Sequence, residues 1–204
     1  MARTGSPEDN FRDQERLAIM KFLMVYGTTE GQTQKIARFV ADRLQRQGHE
    51  VQLVNAVEVA PEVDPSDFDV VIAAASVHAG RYQSAIIHFV KDHLAALGTR
   101  PNSFLSVSLA AAGHDKDDVE GLEKCVADFI HETGWTPNTI HHVAGAFRYT
   151  SYDFLKRWAM KYIAYRKGGP TDTSRDYELT DWDDLTRFVD SFLEDSASAR
   201  PRSV

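Results

Sequence analysis

Five times along this chain, a short apolar run of strand length gives way to a stretch with helical periodicity. That alternation limits the fold more than any other feature. Parallel strands need a long crossover, and the helix that supplies it packs back on the sheet with a fixed hand. The expected class is α/β, a three-layer sandwich whose five-stranded parallel sheet lies between helices. Strands are read at Lys21–Tyr26, Val51–Val54, Asp69–Ala75, Ser103–Ala110 and Thr139–Phe147. The third follows an Asp64-Pro65 break and is apolar almost throughout, as a central strand covered on both faces is. Ile36, Ala37, Val40 and Leu44 share one helical face, in a helix ended by Gly48. Ile86, Phe89, Val90 and Leu94 point inward from a second helix that stops near Gly98. Val119, Leu122, Val126, Phe129 and Ile130 do so from a third, ended by Gly134 and Pro137. Thr180-Asp181-Trp182-Asp183 caps the last helix, with Leu185, Phe188, Val189 and Phe192 inward.

The join between the first strand and the first helix has a chemical use. A strand's carboxyl end meets a helix's amino end there, where free N–H groups and the positive end of the helix dipole favour an anion. Thr28, Thr29 and Thr33, with Gln32, add donors to the turn Gly27-Thr28-Thr29-Glu30-Gly31-Gln32-Thr33, and Gly27 and Gly31 let the backbone approach a ligand. The turn reads as a phosphate cradle. It is not a P-loop, because no Gly-Lys-Ser/Thr closes it, and it lacks the Gly-x-Gly-x-x-Gly dinucleotide turn. In a sheet of order 2-1-3-4-5 a ligand lies between the carboxyl ends of strands 1 and 3. Loops 27–33 and 76–82 fall there, with 110–116 beside them.

Length and composition bound the rest. A chain of 204 residues suits one domain, read as 20–194, after a disordered extension at 1–19 and before a flexible tail at 195–204. Met20 could serve as an alternative start. A net charge of −7 argues against general nucleic-acid binding. The single cysteine, Cys125, suits a reducing compartment and reads as a buried, inert thiol. No signal peptide or membrane-spanning run is visible, so the expected location is cytoplasmic, with attachment to the inner face of the cell membrane as an option. No metal site is expected. His141 and His142 point to opposite faces of a strand, and His88 and His93 lack the i, i+4 spacing of a paired site. Trp135 and Trp182 read as core plugs. No nucleophile–base set emerges, so any redox chemistry belongs to a cofactor.

Tyr26-Gly27-Thr28-Thr29-Glu30-Gly31-Gln32-Thr33, with Ala37, resembles the flavodoxin phosphate fingerprint. The resemblance implies a flavodoxin-like fold with the FMN 5′-phosphate held by Thr28, Thr29, Glu30, Gly31, Gln32 and Thr33. It further implies that the flavin ring is flanked by Ser76, Val77, His78, Ala79, Gly80, Arg81 and Tyr82 and by Leu109, Ala110, Ala111, Ala112 and Gly113. His78 and Arg81 would then stabilise an anionic reduced flavin, and Tyr82 is the one aromatic in either loop. Ala144–Tyr149, Gly168-Gly169, Thr171-Asp172-Thr173 and Thr180-Asp181-Trp182 are similar to a narrower family, the bacterial menaquinone-dependent protoporphyrinogen IX dehydrogenases. That resemblance implies porphyrinogen oxidation in heme biosynthesis, with a quinone as acceptor. Two alternatives stand beside it, a non-catalytic flavodoxin-type electron carrier and a flavin-dependent NAD(P)H:quinone reductase.

The narrower family carries an insertion before the last helix, matched here by about residues 149–178. It exceeds an ordinary connection of about 2–6 residues. From Arg148 to Lys167 there are six basic residues and one acidic one, a local +5 in a protein of −7. Tyr149, Tyr152, Phe154, Trp158, Tyr162 and Tyr165 lie in the same window. A basic, aromatic, amphipathic helix suits an anionic membrane surface or an apolar substrate bearing carboxylates. Arg148, Tyr149, Trp158, Lys161 and Tyr162 are the expected substrate or membrane contacts. Packing on the sheet edge and contact with a second copy, a homo-oligomer, are the other options.

Overall fold

The computed structural model describes residues 19–58, 63–113, 116–149, 165 and 172–199. The chain runs β1 (Lys21–Gly27), α1 (Gln32–Arg46), β2 (Glu50–Asn55), β3 (Val70–His78), β4 (Arg81–Tyr82), α2 (Ser84–Asp92), α3 (Leu94–Leu97) and β5 (Asn102–Ser108). It continues through α4 (Lys116–Thr133), β6 (Thr139–Ala144), β7 (Ala146–Phe147), β8 (Tyr177–Glu178) and α5 (Trp182–Ser198). Short 3-10 turns occupy Pro65–Asp67 and Ala110–Ala112.

The main sheet has the order β2-β1-β3-β5-β6, with β4 added to β3 as a hairpin arm. Every pair along that path is parallel. Leaving β4 aside, this is the expected 2-1-3-4-5 order. Side chains alternate across the sheet, so each strand feeds two cores. Phe22, Met24 and Tyr26 of β1 pack with Ile36, Val40 and Leu44 of α1 and Leu185 and Val189 of α5. Leu23 and Val25 face the opposite layer, with Ile86 and Phe89 of α2, Val126 and Phe129 of α4, and Trp135. Trp135 is a core plug as expected, at 1% exposure, with its ring edge-on to Phe104 and Phe129.

Several boundaries differ from the sequence expectation. The third strand continues to His78, because β3 folds back on β4 with Val77 opposite Tyr82 and His78 opposite Arg81. Ala79 and Gly80 form the two-residue turn, at φ values of 50° and 78°, as a type I′ hairpin requires. The fourth strand stops at Ser108 rather than Ala110. Ser108 Oγ accepts the Ala111 N–H at 3.1 Å and bends the chain into the 3-10 turn. The fifth breaks at Gly145, whose N–H donates to Ser108 O at 2.9 Å while its carbonyl accepts from Leu179 N at 3.0 Å. Beyond it, β7 leaves the main sheet and pairs antiparallel with β8.

The second helix is two, interrupted at His93, whose φ of −116° leaves the helical range. Two inward readings fail: Leu94 is 37% exposed and Val119 47% exposed, each at the end of its helix where packing has run out. Helix α5 reaches Ser198, so residues 195–198 of the expected tail are helical, with Ser196 buried. Residues 1–18 of the extension expected at 1–19, together with Trp158, Lys161 and Tyr162, lie outside the described residues.

Candidate functional site

The cradle begins where β1 ends. Gly31, at φ 87°, is the N-cap of α1, and a Cβ there would meet nothing within 4 Å, so that side of the turn is open. No side chain caps the helix and no acidic residue sits in its first turn. In contrast, α5 is capped by Asp181, whose carboxylate accepts from Asp184 N, with Asp183 and Asp184 in its first turn. The first-turn N–H groups of α1 are left for another acceptor. Thr28 Oγ1 accepts the Gly31 N–H at 2.9 Å, which fixes the turn and leaves its own hydroxyl proton to donate outward. Thr33 Oγ1 is buried and has no hydrogen-bond partner among the described residues. A buried hydroxyl without a partner costs about 1–3 kcal/mol, so its presence fits a ligand acceptor such as a phosphate oxygen.

At Gly27 the structure shows a packing constraint. A Cβ there would lie 2.8 Å from Ile86 Cγ1 and 3.2 Å from Gln83 Cβ, so the missing side chain makes room for α2.

The three ligand loops lie side by side at the carboxyl edge of the sheet. Gly27 is opposite Ala75, Ser76 opposite Val107, and Ser108 opposite Ala144. Gln83, which the sequence reading passed over, crosses from the second loop to the first. Its Oε1 accepts the Ser76 N–H at 2.9 Å, and its Nε2 donates to Ser76 Oγ and, at 3.4 Å, to Thr29 Oγ1. Leu109, Ala110, Ala111, Ala112 and Gly113 are all half-buried around the 3-10 turn; all but Leu109 have small side chains and none carries a ring.

Residues 76–82 divide. Ser76 and Val77 are half-buried, and His78, Ala79 and Gly80 are exposed at the hairpin tip. Arg81 is directed to α4, where its guanidinium pairs with Glu132 at 3.0 Å. Tyr82 is buried in the core, edge-on to Phe104 and Phe129, with its hydroxyl 2.7 Å from Ser106 Oγ. Burial pushes that hydroxyl's pKa up to about 12, so it stays neutral and its ring is committed to packing. A sequence offers no sign of this, because an aromatic after a hairpin turn reads alike whether it faces in or out.

Cys125 is half-buried rather than buried, and its thiol donates to Gly80 O at 3.5 Å. Burial and the nearby Asp128 push its pKa up, with Lys124 opposing, which keeps it a thiol as expected. His141 and His142 take opposite faces of β6. His141 Nε2 lies 3.1 Å from Asp184 and its ring stacks on Phe188.

The base of the insertion is fastened to the cradle. Arg148 donates to Gln32 Oε1 at 3.0 Å, and Gln32 Nε2 donates to Thr180 Oγ1 at 2.9 Å. Thr180 in turn donates to Ala144 O at 2.7 Å. One turn along α1, Lys35 pairs with Glu178 of β8 and lies over the Trp182 ring. Partial burial pushes the Glu178 carboxyl up, but hydrogen bonds from Lys35 and from the Trp182 Nε1–H, with the Lys35 charge, hold it below the usual carboxylate range. Tyr149 is fully buried, stacked on Phe147 and edge-on to Tyr177. At this base its ring is a structural anchor, not a surface contact.

Comparisons with known proteins bear on the fold and the family. The flavodoxin domain model matches residues 23–174. Protoporphyrinogen IX dehydrogenase (quinone) of Escherichia coli K12 is 32% identical over 170 residues, 83% of this chain and 93% of the relative. The Leishmania major protein of the same name is 30% identical over 182 residues, 89% of this chain and 78% of the relative. Among solved structures, the Flv1 flavodiiron core from Synechocystis sp. PCC6803 superposes with a TM-score of 0.52 at 18% identity, over 95% of this chain and 40% of that one. That likeness is one of fold alone. With the family model spanning most of the described sheet and the cradle at its carboxyl edge, this chain belongs to the flavodoxin domain family.

Proposed function

We propose that this protein is an FMN-dependent oxidoreductase that converts protoporphyrinogen IX to protoporphyrin IX, with a quinone as electron acceptor. The observation that carries the reading is identity of 30% or more, over most of the chain, with relatives bearing that activity's name. The residues present suit the cofactor. Thr33 Oγ1, the outward hydroxyl of Thr28 and the first-turn N–H groups of α1 would hold the phosphate. Loops 76–78 and 109–113 would border the ring, the latter with alanines that leave its face open. FMN bound there supplies hydride or single-electron exchange. No described side chain at the site offers paired acid and base groups, so the protein's part is to bind, orient and exclude water.

The insertion would meet the substrate. Its basic and aromatic residues match an apolar tetrapyrrole carrying carboxylates, and the same pairing suits the anionic bilayer in which a quinone dissolves. Arg148, Trp158, Lys161 and Tyr162 are the proposed contacts. The test is porphyrin fluorescence from protoporphyrinogen IX under argon. Fluorescence growing only with FMN-loaded protein and added quinone supports the assignment. No growth above the protein-free rate removes it.

A further inference from the structure

Gln83 stands at the start of α2, where its carbonyl accepts from Ile86 N and Ile87 N at 3.1 and 3.3 Å. Its side chain does not follow the helix. It passes over Gly27 and ends between Ser76 and Thr29. The orientation of its amide is dictated chemically, because the Ser76 N–H can only donate. The oxygen must face Ser76 N, and the nitrogen must face the hydroxyls of Ser76 and Thr29. Thr29 belongs to the phosphate cradle and Ser76 to the ring loop, so one side chain joins the two halves of the site. Gly27 is part of the same device, since a Cβ at that position would sit 3.2 Å from Gln83 Cβ.

We infer that Gln83 is a positioning residue that sets the spacing between the phosphate end and the ring end of the cofactor site. This rests on the FMN reading above and adds to it a residue that acts through Ser76 and Thr29, one in each loop. A ligand that engages both loops gains from their being held in register, because less ordering remains for binding to supply. A ligand that engages only the ring loop gains less. The brace therefore acts on the preference for FMN over riboflavin, which lacks the phosphate.

The experiment titrates the apoprotein with FMN and with riboflavin by flavin fluorescence, for the wild type, Gln83→Met and Gln83→Ala. Methionine keeps the stem that packs over Gly27 and loses only the hydrogen bonds, so the fold is retained. The wild type is expected to prefer FMN, and Gln83→Met to lower the FMN-to-riboflavin affinity ratio by roughly fivefold to tenfold. Gln83→Ala should lower it as far while also lowering the melting temperature. A ratio in Gln83→Met within twofold of the wild type overturns the role of Gln83 and leaves the FMN reading intact. A wild type that takes up neither flavin overturns both.

Discussion

The carboxamide of Gln32, in the first turn of α1, accepts a hydrogen bond at 3.0 Å from Arg148, 116 residues further along the chain. The contact joins the helix end at the proposed phosphate cradle to the chain that leads from β7 into the insertion. With Gln32 also donating to Thr180 on the returning chain, both ends of the insertion's base are tied to the same side chain. The proposed cofactor site and the described base of the insertion are thus bonded together at this point.

That bonding is measurable. Gln32→Ala and Arg148→Ala should each lower the urea midpoint. The double variant should lose less than the two combined, by about 0.5–3 kcal/mol, as contacting residues in one network do. Strict additivity would show that the 3.0 Å contact contributes nothing to stability.

Thr33→Val separates binding from stability. It removes a buried hydroxyl with no partner among the described residues and keeps its shape. The apoprotein should melt higher, because a desolvated polar group is gone. FMN affinity should fall by about tenfold or more, the worth of a hydrogen bond to a charged group. Unchanged affinity would place the phosphate elsewhere.

Gly27→Ala should destabilise the protein by about 1–3 kcal/mol, as overpacking does. Its new Cβ would meet Ile86 Cγ1 at 2.8 Å, and neither the strand nor α2 can yield freely. Thermal unfolding of the variant checks this. Gly31→Ala tests a different constraint, strain at φ 87° with open space around it.

Burial of the His141 ring lowers its pKa from 6.5, with Asp184 opposing and His142 adding to the shift. The unfolded chain then takes up a proton first as pH falls, so stability is full above about pH 6.5 and declines below it, until the folded histidine is protonated too. His141→Phe keeps the stack on Phe188 and should flatten part of that slope in urea midpoints between pH 7 and about 5, above the carboxylate range. His142 shifts the same way, so part of the slope should remain.

The sheet was legible because alternation of strand and helix leaves few arrangements; the proposed cradle rests on a turn of threonines and glycines at a strand–helix join. What escaped the sequence was long-range. Gly145 looks like any strand glycine until Ser108 and Leu179 bond to it and split the strand. Arg81 and Tyr82 lie in the expected ring loop, yet Glu132 and the Phe104–Phe129 cluster draw their side chains away. Gln83 carried no local signal, since its partners lie 7 and 54 residues distant. The FMN cradle does not distinguish a carrier from an enzyme. The substrate assignment depends on named relatives and on the charge of the insertion.

The most direct measurement is anaerobic mixing of FMN-loaded protein with protoporphyrinogen IX in the absence of quinone. With porphyrinogen in excess over flavin, the expected result is loss of the oxidised flavin's visible absorbance, since each FMN accepts two of the six electrons the full oxidation releases; added quinone should then restore the flavin colour and bring up the porphyrin fluorescence. A flavin that keeps its colour while porphyrinogen persists would contradict the assignment and leave an electron carrier.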